Sequence, residues 1–100
     1  LLYREQPFVM EVSANRIKAE YDSGEQVLIQ GIIDAYFEEE GDLVLVDYKT
    51  DKVHGKNSRS LAEKYQVQLE YYAEALERLT GKKVKEKYIY SVDLKEAIPV

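Results

Sequence analysis

One hundred residues make one small domain, and 45% apolar beside 33% charged residues excludes a disordered tail. The net charge of −5 counts against a free-standing nucleic-acid binder, whose phosphate contacts come from clustered Lys and Arg; a nucleic-acid partner would need basic surface supplied from elsewhere. The absence of Cys excludes disulfides, thiolate metal sites and a Cys nucleophile, and no apolar run approaches the roughly 18 residues of a membrane span.

The chain opens Leu1-Leu2-Tyr3-Arg4-Glu5, without an initiator Met or the charged-then-apolar layout of a signal peptide, and is expected to be cut from a longer protein. Pro7 to Val12 reads as a strand, and Ala14 to Tyr21 as a short helix or an irregular crossing. Asp22-Ser23-Gly24-Glu25 is a turn signal. Two strong strands follow, Gln26 to Phe37 and Leu43 to Tyr48. The connection between them, Glu38-Glu39-Glu40-Gly41-Asp42, is short, polar and supplied with Gly for positive φ, which predicts a β-hairpin.

Residues 51–59 are polar. Ser60-Leu61-Ala62-Glu63 then matches a capping box, and Leu61, Tyr65, Leu69, Tyr72, Ala73 and Leu76 fall on one helical face. Gly81 is placed to cap that helix, with Lys82 and Lys83 beside its terminal carbonyls. Val84 to Val92 alternates as a further strand, with Tyr88, Tyr90 and Val92 on one side. The order strand, crossing, hairpin, helix, strand gives an α+β (α/β-like) unit. Nine Tyr against two Phe is an unusual balance, and buried hydroxyls need partners, so several Tyr are expected at the core's edge or along a polar cleft.

The chemistry gathers on the hairpin. Side chains alternate along a strand, so Asp47 and Lys49 share a face. A turn centred on Glu40-Gly41 sets Asp34 opposite Asp47, with Cβ atoms roughly 4.5–5.5 Å apart. Two carboxylates at that distance repel unless a cation lies between them, and hard cations such as Mg²⁺ take carboxylate oxygens and waters. Lys49 on the same face would position a metal-bound water or offset charge on a phosphoryl oxygen. The plainer alternative is that Asp34, Asp47 and Lys49 form a structural ion-pair network, and spacing alone does not exclude it.

Three strings in series, Gly31-Ile32-Ile33-Asp34, Asp47-Tyr48-Lys49-Thr50-Asp51 and Gln68-Leu69-Glu70-Tyr71-Tyr72, resemble the motifs of the RecB-like branch of the PD-(D/E)XK nuclease superfamily. The resemblance covers about residues 5 to 92. Arg4-Glu5-Gln6-Pro7-Phe8 and Val67-Gln68-Leu69, leading into Tyr72-Ala73-Glu74-Ala75-Leu76-Glu77, look most like the C-terminal nuclease domains of the AddA family of helicase–nuclease subunits.

The resemblance implies a single nuclease domain fragment over residues 1–100. Its core would be restriction-endonuclease-like and N-terminally truncated, a mixed central sheet flanked by one long helix. It also implies Mg²⁺-dependent DNA exonuclease activity in the processing of double-strand breaks. Asp34 and Asp47 would be ligands, together with the backbone carbonyl of Tyr48, and Lys49 would lie near the attacking water. Mn²⁺ would substitute for Mg²⁺, and ATP would be used only by the parent's helicase domains. The partners would be single-stranded DNA ends and an AddB-like subunit, and the location cytoplasmic. The family's upstream helix with its His ligand has no counterpart before Asp34, so the fragment alone is expected to bind metal weakly and to be inactive. Two alternatives stand beside this reading: an inactive nuclease-like docking module, or another RecB-like nuclease, phage or CRISPR-associated.

Gln68 and Tyr72 are four residues apart and adjacent on the helix, with Tyr65 one turn earlier. Gln68 interrupts an apolar stripe, where an amide needs partners. It is either a satisfied core residue or, by the resemblance, a group that meets DNA phosphate or braces Lys49. Lys52, Lys56, Arg59 and Lys64 form the densest basic stretch, read as a solvated loop or as a track for a DNA backbone. His54 and Glu5 are weak metal candidates, and Glu38-Glu39-Glu40 reads as a solvated turn.

Overall fold

The computed structural model describes residues 1–20, 24–53 and 57–100. Among these, five strands form one mixed sheet in the order β1-β2-β3-β4-β5: Leu2–Ser13, Gln26–Glu39, Asp42–Lys49, Val84–Ser91 and Glu96–Pro99. Of the neighbouring pairs only β3 and β4 run parallel, and helix α1 (Ser58–Thr80) makes the crossover between them. The expected α+β arrangement of a mixed sheet with one long helix is therefore present.

The hairpin forms because Glu40 (φ 54°) and Gly41 (φ 86°) both take positive φ, the requirement of a two-residue turn matched to strand twist. Pairing then runs from Glu39 with Asp42 to Ala35 with Val46, the register read from the sequence. The three glutamates at the turn are exposed, as expected, with Glu38 paired to Lys82 and Glu39 2.9 Å from Lys85. As the middle strand, β3 carries Leu43, Val44 and Leu45 buried in succession.

The first strand starts five residues earlier than Pro7 because the pairing with β2 reaches Leu2. As an edge strand it tolerates Pro7, which has no N–H to donate. The crossing after it is one 3-10 turn, Ala14–Arg16, tied to the helix where Arg16 donates to Glu74 at 2.7 and 3.0 Å. The turn read at residues 22–25 lies partly outside the described residues.

Helix α1 presents the face expected of it. Leu61, Leu69, Ala75 and Leu76 are buried against Phe8, Met10, Ile33, Leu45 and Ile89, with Tyr65, Tyr72 and Ala73 packed at the margin. Gly81 closes it in a left-handed conformation (φ 73°). The start corrects the sequence reading. The cap is Asn57, whose Oδ1 accepts from Arg59 N at 3.1 Å and Ser60 N at 3.3 Å; Ser60 lies inside the first turn and Glu63 pairs with Arg59. The terminal strand is also corrected. It ends at Ser91, leaving Val92 outside it and exposed, and the chain turns back as β5, which buries Ile98.

We expect Asn57→Ala to cost about 1 kcal/mol in chemical denaturation, and Ser60→Ala clearly less. Equal losses would return the cap to Ser60.

Candidate active site

The sheet forks where the motif residues lie. Pairing between β2 and β3 stops at Ala35 and Val46, while β2 stays paired to β1 at Ile33 and β3 to β4 through Lys49. Beyond that last pair, the Tyr48 N–H finds no partner on β2 and instead donates to Asp34 Oδ2 at 2.8 Å. A second irregularity marks the same level. Glu5, the residue of β1 that the register sets across from Asp34, has φ 51° and makes no pair. Positive φ is uncommon for a residue with a side chain, and such strain collects at functional sites. Across this kink the simple alternation of β2 breaks. Odd residues up to Ile33 face the core, and then Ala35 and Tyr36 are both buried. Glu5 itself is exposed.

Asp34 and Asp47 thus lie beside each other in the fork, one step past the last ladder pair, instead of forming the cross-strand pair expected from the sequence. Asp47 is 3% exposed, and its Oδ2 lies 2.8 Å from Lys49 Nζ without an aligned hydrogen bond. Burial pushes the Asp47 carboxyl up to about 6. The neighbouring Asp34 carboxyl raises it further, and Lys49 opposes the rise.

The helix closes the site from one side. Lys49 Nζ donates to Gln68 Oε1 at 2.8 Å, Gln68 Nε2 donates to the Tyr72 hydroxyl at 3.2 Å, and Lys49 Nζ sits 4.1 Å from the Tyr65 ring centroid. The Gln68 amide is therefore satisfied on both ends, and it braces Lys49. Burial raises the Tyr72 hydroxyl above its usual range, with the Asp47 and Asp34 charges adding to it.

Gly31 has a reason the sequence did not reveal. A Cβ there would come within 3.1 Å of the Phe8 ring and 3.3 Å of the Tyr72 ring, which pack edge to face with centroids 5.4 Å apart. The absent side chain lets Tyr72 lie over the strand next to the carboxylates. Asp51 was also missed as an interacting group. It accepts from the Tyr65 hydroxyl at 2.9 Å and from Lys64 at 2.8 Å, which hold its carboxyl below the usual range, the Lys64 contact most of all. Its position two residues beyond Lys49 was the available signal.

The basic stretch is in part spoken for, since Lys64 is held by Asp51 and Arg59 by Glu63, while Lys52 is exposed. His54 and Lys56 lie outside the described residues.

The sequence of the chain matches the PD-(D/E)XK nuclease superfamily over residues 2–98. It belongs to that superfamily. The AddA-type ATP-dependent helicase/nuclease subunit of Clostridium kluyveri is 55% identical over 93 residues, covering 89% of this chain and 7% of that protein. The protein of the same name from Acetivibrio thermocellus is 52% identical over 91 residues (87% and 7%), and that from Clostridium beijerinckii 44% over 102 residues (99% and 8%). These similarities bear out the likeness to AddA-type proteins read from the motifs. The chain spans less than a tenth of the length of these relatives.

The donor set suits the hard divalent cation on which PD-(D/E)XK nucleases typically depend. Among the described residues no group of three or more His, Cys, Asp or Glu surrounds one point. Two carboxylates, one with a buried oxygen lacking a hydrogen-bond donor, nevertheless match Mg²⁺, which commonly takes one or two carboxylates and completes its shell with water and phosphate.

The raised Asp47 value sets a pH dependence. Without metal, the folded state holds its proton more tightly than the unfolded chain. The resulting stabilisation is complete below about pH 4 and is lost as pH rises through about 6. A rise of roughly two pH units is worth about 3 kcal/mol. In metal-free thermal melts, Asp47→Asn should therefore gain on the wild type between about pH 4 and 6.5 and level off above. A difference that stays constant across that range would contradict the assignment.

Proposed function

We propose that this chain is the phosphodiester-cleaving centre of a larger helicase–nuclease of the AddAB type, acting as a DNA exonuclease in double-strand-break end processing. The observation that carries the reading is the pair Asp34–Asp47 in the fork of the sheet, with the Lys49 ammonium 2.8 Å from Asp47.

In this reading Asp34 and Asp47, with the backbone carbonyl of Tyr48, hold the cation. A bound Mg²⁺, replaceable by Mn²⁺, supplies charge neutralisation and an acidified water. Lys49 orients the attacking water and offsets charge developing on the phosphoryl oxygen. Gln68 holds Lys49 through its Oε1, and Tyr72 holds Gln68, so the ammonium is set before substrate arrives. The residues that would touch DNA are Tyr72 and the exposed Lys52, three residues past Lys49.

The charge of −5 fits a part that takes its DNA affinity from the rest of the parent protein. The parent's helicase domains would use ATP and feed single-stranded ends to this site in the cytoplasm, beside an AddB-like subunit. The names of the similar proteins, each an ATP-dependent helicase/nuclease subunit, support that setting.

In the full-length parent, Asp47→Ala or Lys49→Ala should lower Mg²⁺-dependent cleavage by about a thousandfold or more. DNA binding and ATP hydrolysis should stay within about twofold. Cleavage at wild-type rate by either variant would refute the proposed centre and favour a docking module.

A further inference from the structure

Outside the carboxylate pair and its Lys, the cleft contains a second chain of contacts that metal binding leaves unused. It starts at Lys64, whose Nζ lies 2.8 Å from Asp51 Oδ2. Asp51 accepts the Tyr65 hydroxyl at 2.9 and 3.1 Å. The face of the Tyr65 ring is 4.1 Å from Lys49 Nζ. The contacts therefore run from the helix surface, through a carboxylate and a phenol, to the ammonium beside Asp47.

We infer that Tyr65 is a positioning residue for Lys49, its ring the seat of the ammonium and its hydroxyl, anchored on Asp51, the fixing point of the ring. The inference rests on the proposed nuclease reading and deepens it.

A lysine ends in a long flexible stem, so point contacts with Asp47 and Gln68 leave it free to swing about them, whereas a ring below closes off that volume. An ammonium also has three N–H donors, and an aromatic face attracts the charge without requiring an aligned acceptor. Gln68 takes one donor. The ring then leaves donors for Asp47 and for a water or phosphoryl oxygen. Lys49 is besides largely shielded from water, with 16% of its side chain exposed, which strengthens attraction between a cation and a ring. A phenol donating its proton to a carboxylate is more electron-rich than a free one. Tyr therefore suits the position better than Phe. Lys64 approaches the same ring at 5.2 Å, but its charge is paired with Asp51.

The test uses the full-length parent protein and single-turnover cleavage of DNA with single-stranded ends. Position 65 is replaced by Phe, by mono-, di- and trifluoro-Phe, and by Leu. Fluorination drains the ring face while barely changing its size, so a packing role is blind to it. The cleavage rate should fall stepwise along the fluorine series, reaching roughly a tenfold loss at trifluoro-Phe and in Tyr65→Leu. The KM for DNA should hold, and Tyr65→Phe should recover most of the Leu loss. Asp51→Asn should reproduce the Phe effect.

A flat fluorine series, or Tyr65→Leu cutting at the wild-type rate, overturns the inference while Lys49→Ala in the same assay still reports on the nuclease reading. Should Lys49→Ala itself cut normally, the reading fails and the inference falls with it. Melting temperatures of the Phe series, which conserve shape, separate rate effects from folding.

Discussion

A buried carboxylate beside a second carboxylate loses its charge unless a cation sits between them. Asp34 and Asp47 are in that position, one at the end of each strand's shared ladder, at the point where β2 and β3 part. The sheet does not leave this conflict to chance. The Tyr48 N–H is turned onto the Asp34 carboxylate and Asp47 is buried, at the level where the Glu5 backbone takes positive φ. A site under such tension favours whichever cation resolves it. Lys49 does so only in part, since Asp47 Oδ2 lacks an aligned donor.

The remaining fold serves to keep Lys49 close without letting it neutralise the pair fully. Helix α1 carries Tyr65, Gln68 and Tyr72 over the strand ends, and its apolar side packs Leu69 and Leu76 into the sheet to fix that placement. Gly31 is the local concession, because its missing side chain admits the Tyr72 ring. Burial of the apolar stripe and positioning of the polar one are thus two faces of the same helix.

Much of this was legible in the sequence, where short-range chemistry decides geometry. Glu40-Gly41 permits one tight turn, and that turn fixes the register across the hairpin and hence the meeting of Asp34 with Asp47. The helical stripe was legible for the same reason, since period and amphipathicity agree. The helix start was not, because Asn57 and Ser60 both have cap-competent side chains and stand three residues apart. Strand β5 was hidden by its brevity and by the exposed Glu96, Ala97 and Pro99 around one buried Ile98. The kink opposite Glu5, the reason for Gly31 and the contacts of Asp51 depend on elements distant in sequence. No local pattern encodes them.

The central claim is that Asp34 and Asp47 converge on one cation, and a Mn²⁺ titration of this chain followed by electron spin resonance tests it most directly. The account predicts weak but saturable binding of one ion, lost in both Asp34→Asn and Asp47→Asn and displaced by Mg²⁺. Binding that survives either substitution, or that needs neither carboxylate, would contradict it.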